Sequence, residues 1–116
     1  MPHPRASAIF AKRLKQARER LGVSQRQLGD LLGLGKQVGS TRINRYEQQA
    51  SLCDMETAAR IARELGVPLA YLFAESDALA AIILAFAEMT KTEQAKMAAE
   101  MTEKVATRKT KAAKTD

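Results

Sequence analysis

The chain is poor in the side chains that carry catalytic and metal chemistry: among 116 residues there is one cysteine, Cys53, and one histidine, His3. A lone cysteine excludes an intrachain disulfide. Its separation from His3 leaves no metal-ligand spacing, so Cys53 is expected to be a small buried thiol, with neither metal nor cofactor. No carboxylate pair and no nucleophile beside a base is apparent, which argues against an enzyme. Gly33-Leu34-Gly35-Lys36 faintly suggests a nucleotide loop, but no strand precedes it and Gln37 stands where Ser or Thr is needed. The apolar run from Ala78 to Met89 is too short for a bilayer, which takes ~20 residues. Met1-Pro2-His3-Pro4-Arg5 leads into no apolar core of the kind a secretion signal has, so the expected location is the cytoplasm. No window alternates with period two for long enough to argue a strand. The expectation is an all-α protein, one compact domain with appendages.

Charge is what the chain does have. Its formal net charge is +6, and the excess is uneven. Residues 1–75 hold 12 Lys/Arg against 7 Asp/Glu, net +5, whereas residues 76–116 hold 7 against 6, net +1. A basic balance points to an anionic partner, approached by the first three quarters of the chain.

Met1 to Arg5, with two prolines, reads as a mobile arm whose Arg5 can reach a phosphate. From about Ser7 to Leu21, Phe10, Leu14, Ala17 and Leu21 recur at helical spacing, and Gly22 ends the segment. Ser24 is a good N-cap for a second helix, to about Leu32, whose stripe is Leu28, Leu31 and Leu32 and whose stop is Gly33. The next helix, ending near Gln48, is anchored by a thin face of Ile43 and Tyr46. Its other positions are Ser40, Thr41, Arg42, Asn44, Arg45 and Gln48. These residue types read base edges in a major groove: Asn and Gln toward adenine, Arg toward guanine, Ser and Thr toward either.

Asp54 can cap a fourth helix through Met55, Ala58, Ile61, Ala62 and Leu65, with Gly66 as its stop. Pro68 suits the start of a short fifth helix, Leu69 to Phe73. Asp77 to Met89 forms a sixth with Leu79, Ile82, Ile83, Phe86 and Met89 on one stripe. Thr90-Lys91-Thr92-Glu93 matches a capping box opening a seventh, lined by Met97, Met101 and Val105. From Thr107 the chain lacks apolar periodicity and reads as a frayed basic tail. The organisation expected is a DNA-binding domain over 6–75, a helical hairpin over 76–107 and a disordered tail over 108–116. Leu79, Ile82, Ile83 and Phe86 would leave an apolar stripe exposed, a patch that marks a partner: a second copy of the chain, or a small protein. Folding of the hairpin back onto the first and fifth helices is the alternative.

Leu14, Arg18, Gly22, Ser24-Gln25, Leu28, Gly33-Leu34, Ile43, Tyr46-Glu47 and Ile61 through Val67, in that order and spacing, resemble the phage-repressor (XRE) type of helix-turn-helix domain from about Ile9 to Phe73. The resemblance implies a lambda-repressor-like five-helix domain whose third helix enters the major groove of double-stranded DNA, as a homodimer on a two-fold operator. Carried over by position, Gln25 contacts a phosphate, and Ser40, Thr41, Arg45 and Gln48 read bases with Asn44 beside them. Arg42 and Lys36 are expected on the backbone. Arg18 and Glu47 fall on positions that form an ion pair beneath the DNA-binding surface. The chain departs from the pattern between Gly35 and Ile43, which is longer by about one helical turn, so the third helix starts either near Lys36 or near Ser40. It departs again after Glu47, where Gln48 to Cys53 lacks the family's Gly and basic residues. The function implied is that of a transcriptional regulator, most naturally a repressor. An antitoxin that autoregulates its operon, and a protein-binding adaptor on the same fold, are the other readings.

Overall fold

The computed structural model describes residues 5–114, apart from the side chains of Lys36 and Lys114. Its elements run α1 (Ala6–Leu21), α2 (Gln25–Leu31), α3 (Lys36–Glu47), α4 (Met55–Leu65), a 3₁₀ helix (Leu69–Phe73), α5 (Asp77–Ala87) and α6 (Lys91–Lys114). The all-α expectation holds, with no strand among the described residues. Met1 to Pro4 of the expected arm lie outside the described residues; Arg5 is exposed and is the N-cap of α1.

Local chemistry sets the helix ends. The Ser24 hydroxyl accepts from the Gln27 amide at 3.0 Å while the Gln27 side chain accepts from the Ser24 amide at 2.8 Å, a complete capping box. Asp54 caps α4 by accepting from the Thr57 amide at 2.7 Å, and Gly22 and Gly66 close α1 and α4. Thr90 and Glu93 exchange the same pair of bonds, at 2.8 and 3.2 Å, at the start of α6.

The core joins Phe10, Leu14 and Ala17 of α1, Leu28 and Leu32, Ile43 and Tyr46 of α3, and the α4 stripe Ala58, Ile61, Ala62 and Leu65, closed by Tyr71 and Leu72. Leu14, Leu28, Ile43, Ile61, Leu65 and Leu72 are fully buried. Each such side chain contributes roughly 1.5–3 kcal/mol of transfer free energy, so one Ile and one Tyr suffice to fasten an otherwise polar α3.

By its internal packing the chain divides into a unit ending at Leu84 and a second beginning at Ala85, a boundary inside α5 rather than between residues 75 and 76. The reason is that Ala80 is buried and that Ile83 and Leu84 pack against the core. Ile83 is half-buried against the core of its own unit, whereas Leu79 and Ile82 are exposed. The start of α5 is fastened by Arg13, which is buried: its Nε donates to the Ala74 carbonyl and its Nη1 to Asp77 Oδ1, both at 3.0 Å.

In the second unit, Gln94 Nε2 donates to the Phe86 carbonyl at 2.9 Å, and Phe86, Met89 and Met97 are half-buried. The tail expected to be irregular after Thr107 is helical to Lys114. Its Ala, Lys and Arg residues are strong helix formers uninterrupted by Gly or Pro, which needs no apolar periodicity. Among the described residues no helix is long and apolar enough to cross a membrane.

Candidate nucleic-acid interface

α2 ends and α3 begins around two glycines in the left-handed φ region, Gly33 at 74° and Gly35 at 80°. Such angles strain any residue with a Cβ, and the reversal they permit turns Leu34 toward the core. Beyond the turn α3 starts at Lys36, the earlier of the two starts that the sequence allows, so Gly39 lies inside the helix.

Packing explains why a glycine is accepted there. A Cβ built at Gly39 would stand 2.7 Å from the Gly29 Cα, and one built at Gly29 would stand 2.6 Å from the Gly39 Cα. α2 and α3 cross backbone to backbone through this pair. Glycine costs ~1 kcal/mol of helix propensity, but only the absence of a Cβ on both sides allows the approach.

Gly39, Ile43 and Tyr46 form the buried stripe of α3. Helical geometry then sets Gln37, Thr41 and Gln48 opposite it, with Arg45, Val38 and Arg42 on one flank and Asn44 and Ser40 on the other. All of these are exposed except Ser40, which is half-buried. Lys36 occupies the first position of the helix.

An ion pair braces the helix from beneath. Arg18 Nε donates to Glu47 Oε2 at 2.8 Å and Nη2 to Oε1 at 3.0 Å, while Nη1 donates to the Val23 carbonyl at 3.0 Å. The Glu47 side chain is 2% exposed and that of Arg18 13%, so the fork-to-fork contact is largely withdrawn from water. Bonding to Glu47 raises the Arg18 pKa above its ordinary value, keeping the guanidinium charged. Gln25, half-buried at the start of α2, donates from Nε2 to Asn44 Oδ1 at 3.2 Å and to Glu47 Oε1 at 3.3 Å. Its carboxamide thus links α2 to α3.

Arg45 is held as well. Its Nε donates to Ser51 Oγ at 2.8 Å, and its carbonyl accepts from the Ala50 amide at 2.8 Å, tying the loop after α3 to the last turn of the helix. Gln48 ends α3, its amide donating to the Asn44 carbonyl at 2.9 Å. Between α3 and this loop lies an open groove of about 500 Å³, lined in part by Gln37, Val38, Arg42, Arg45 and Leu52. Gln37 and Val38 belong to the same outer surface, a role visible in the sequence only once α3 is known to begin at Lys36.

Cys53, expected to be buried, is only half-buried beside Tyr46, its Sγ donating to the Asp54 carbonyl at 3.4 Å. Burial, with the Asp54 charge second, pushes the thiol up to about 11. Among the described residues no cluster of three or more His, Cys, Asp or Glu could hold a metal ion.

A polar, arginine-bearing helix laid over a second helix by a tight turn, its base braced by an ion pair, is the arrangement with which helix-turn-helix proteins meet DNA. The chain belongs to the XRE-type helix-turn-helix family, a class of DNA-binding transcriptional regulators, and matches it over residues 14–72. Among solved structures it is similar to that of the transcriptional regulator BswR, at 36% sequence identity and a TM-score of 0.74, over 80% of this chain and 92% of that one. No curated protein matches it.

Proposed function

We propose that this regulator is a sequence-specific repressor that binds a two-fold operator as a homodimer. The observation that carries the reading is the exposed outer face of α3, where Thr41 and Gln48 stand opposite the buried stripe with Arg45 on the adjoining flank. In this reading α3 lies in the major groove, Ser40, Thr41, Arg45 and Gln48 meet base edges, and Asn44 stands at their margin. Lys36 and Arg42 contact the phosphate backbone. Gln25 reaches a phosphate only by giving up part of its bonding to Asn44 and Glu47, so its first contribution is to hold α3 in register. Dimerisation rests on Leu79 and Ile82, the exposed apolar residues of α5 in the first unit, with Phe86 further along the same helix.

Selection of bound sites from random DNA tests the reading together with sedimentation of the protein alone. The expected motif is an inverted repeat with half-sites one helical turn, ~34 Å, apart. Sedimentation should show a dimer that Leu79→Glu with Ile82→Glu converts to a folded monomer. An asymmetric single site, or a wild-type monomer, would overturn the two-fold operator and the dimer.

A further inference from the structure

We infer that the C-terminal half of α6 is a DNA-binding element separate from α3, one that holds the phosphate backbone through Lys104, Arg108 and Lys111 and reads no sequence. It lies in the second unit, on a helix to which the reading of α3 assigns nothing.

The modest net charge of residues 76–116 conceals a sharp division. Residues 76–90 hold no Lys/Arg against 2 Asp/Glu, net −2, and residues 91–103 hold 2 against 3, net −1, whereas residues 104–114 hold 5 against none, net +5. Every acid of α6 precedes its basic half. Because this half is helical, its charges have fixed directions. At 3.6 residues per turn Lys104, Arg108 and Lys111 fall within about 60° of one another along about 10 Å of the axis, and Lys109 points well away from them.

Nothing within the chain answers these charges. Every residue from Ala98 to Ala113 is exposed, and among the described residues the side chains of Lys104, Arg108, Lys109 and Lys111 make no hydrogen bond or ion pair. The nearest carboxylate in sequence, that of Glu103, accepts from the Thr107 hydroxyl at 3.4 Å. Like charges three and four residues apart destabilise a helix, so this face repels itself until a polyanion covers it. Its chemistry selects the polyanion. Val105 is the only apolar residue larger than alanine between Lys104 and Lys114, too little to enter a lipid surface, whereas the chain belongs to a family of DNA-binding regulators. The same stretch contains no Asn or Gln, and a lysine ammonium is a point charge without a paired fork, so the contact is with phosphates and not with base edges.

The test uses the full chain and a variant with Lys104→Gln, Arg108→Gln and Lys111→Gln, since glutamine keeps the helix propensity of the residues it replaces and circular dichroism verifies the fold. Affinity is measured by fluorescence anisotropy on a selected site and on unrelated duplex DNA across a salt series. Each lost phosphate contact removes ~0.9 from the slope of log K against log salt, so the variant's slope should be shallower by about 2.7 on both DNAs. Its deficit should accordingly shrink about 40-fold between about 50 mM and about 200 mM salt. The selected motif should stay the same, and Lys91→Gln with Lys96→Gln, in the first half of the same helix, should leave the slope in place. An unchanged slope in the triple variant overturns the inference, and one accompanied by loss of binding to anionic lipid vesicles assigns the face to a membrane surface instead. An equal change in the Lys91 and Lys96 variant overturns it too, because overall charge would then be the cause. A wild type that selects no motif but shows the slope difference refutes the reading of α3 and supports this one.

Discussion

Alanine at position 39 adds one methyl group to the crossing of α2 and α3, and the sign of its effect separates helix propensity from packing. On propensity alone Gly39→Ala should stabilise α3 by ~1 kcal/mol. Against this, the new Cβ would lie 2.7 Å from the Gly29 Cα and 3.0 Å from its carbonyl carbon, both backbone atoms that cannot rotate aside. Carbon atoms rest at about 3.5–4.0 Å, so the two helices must part by roughly 1 Å. Overpacking of this kind costs about 1–3 kcal/mol, and rigid neighbours place it toward the upper end. The net expectation is a loss of about 1–2 kcal/mol, which for a domain of this size lowers the melting temperature by about 4–8 °C per kcal/mol. Thermal unfolding followed by circular dichroism measures it, with Thr41→Ala, exposed on the same helix, as the control for propensity alone. Operator affinity should fall too, because a parted α3 no longer meets bases while α2 meets the backbone. A Gly39→Ala protein that melts at or above the wild-type temperature would refute the reasoning.

Glu47→Ala leaves the Arg18 guanidinium largely buried without its counter-charge, a loss on the order of 3–5 kcal/mol that chemical denaturation should register; an unchanged midpoint would mean that water solvates the pair. Arg45→Ala should relax preference at one base position by about 1–3 kcal/mol of discrimination, as read from selected sites, whereas Ser51→Ala should keep the motif and weaken binding only through a looser Arg45. Cys53 titrates at about 11 in the folded chain against an ordinary 9.0. Because the folded value is the higher, the stability from the protonated thiol is complete below about pH 9 and is lost as pH rises through about 11. A denaturation midpoint that falls across this interval in the wild type and falls less in Cys53→Ala is the expected result, the remaining fall coming from the Tyr46 phenol, which burial also raises above its ordinary value.

Where structure follows from neighbours in the chain, the sequence was legible. Ser24 with Gln27, Thr90 with Glu93, and Asp54 with Thr57 are three residues apart and set the starts of α2, α6 and α4. Ile43 and Tyr46 alone orient α3, so its polar outer face could be drawn on a helical wheel. Contacts between distant residues were not legible. The extra turn between Gly35 and Ile43 leaves the start of α3 open between Lys36 and Ser40, because nothing local in sequence shows Gly39 packed against Gly29. Arg45 reads as a free guanidinium, but the bond to Ser51 depends on how the loop after α3 folds back. The same limit applies to α5: a stripe on a helical wheel cannot tell that Ile83 faces its own core while Ile82 remains exposed. At the C-terminus the lack of an apolar stripe does not exclude a helix, because Ala, Lys and Arg favour one without packing.

The buried stripe of α3 and the middle of its exposed face are built from different residues. Gly39, Ile43 and Tyr46 fasten the helix, and positions 37, 38, 41 and 48 bear no part of that duty. If the proposed reading holds, DNA preference is a separable variable: exposed positions such as Thr41 and Gln48 can be rewritten while the buried stripe beneath holds the helix as firmly as before.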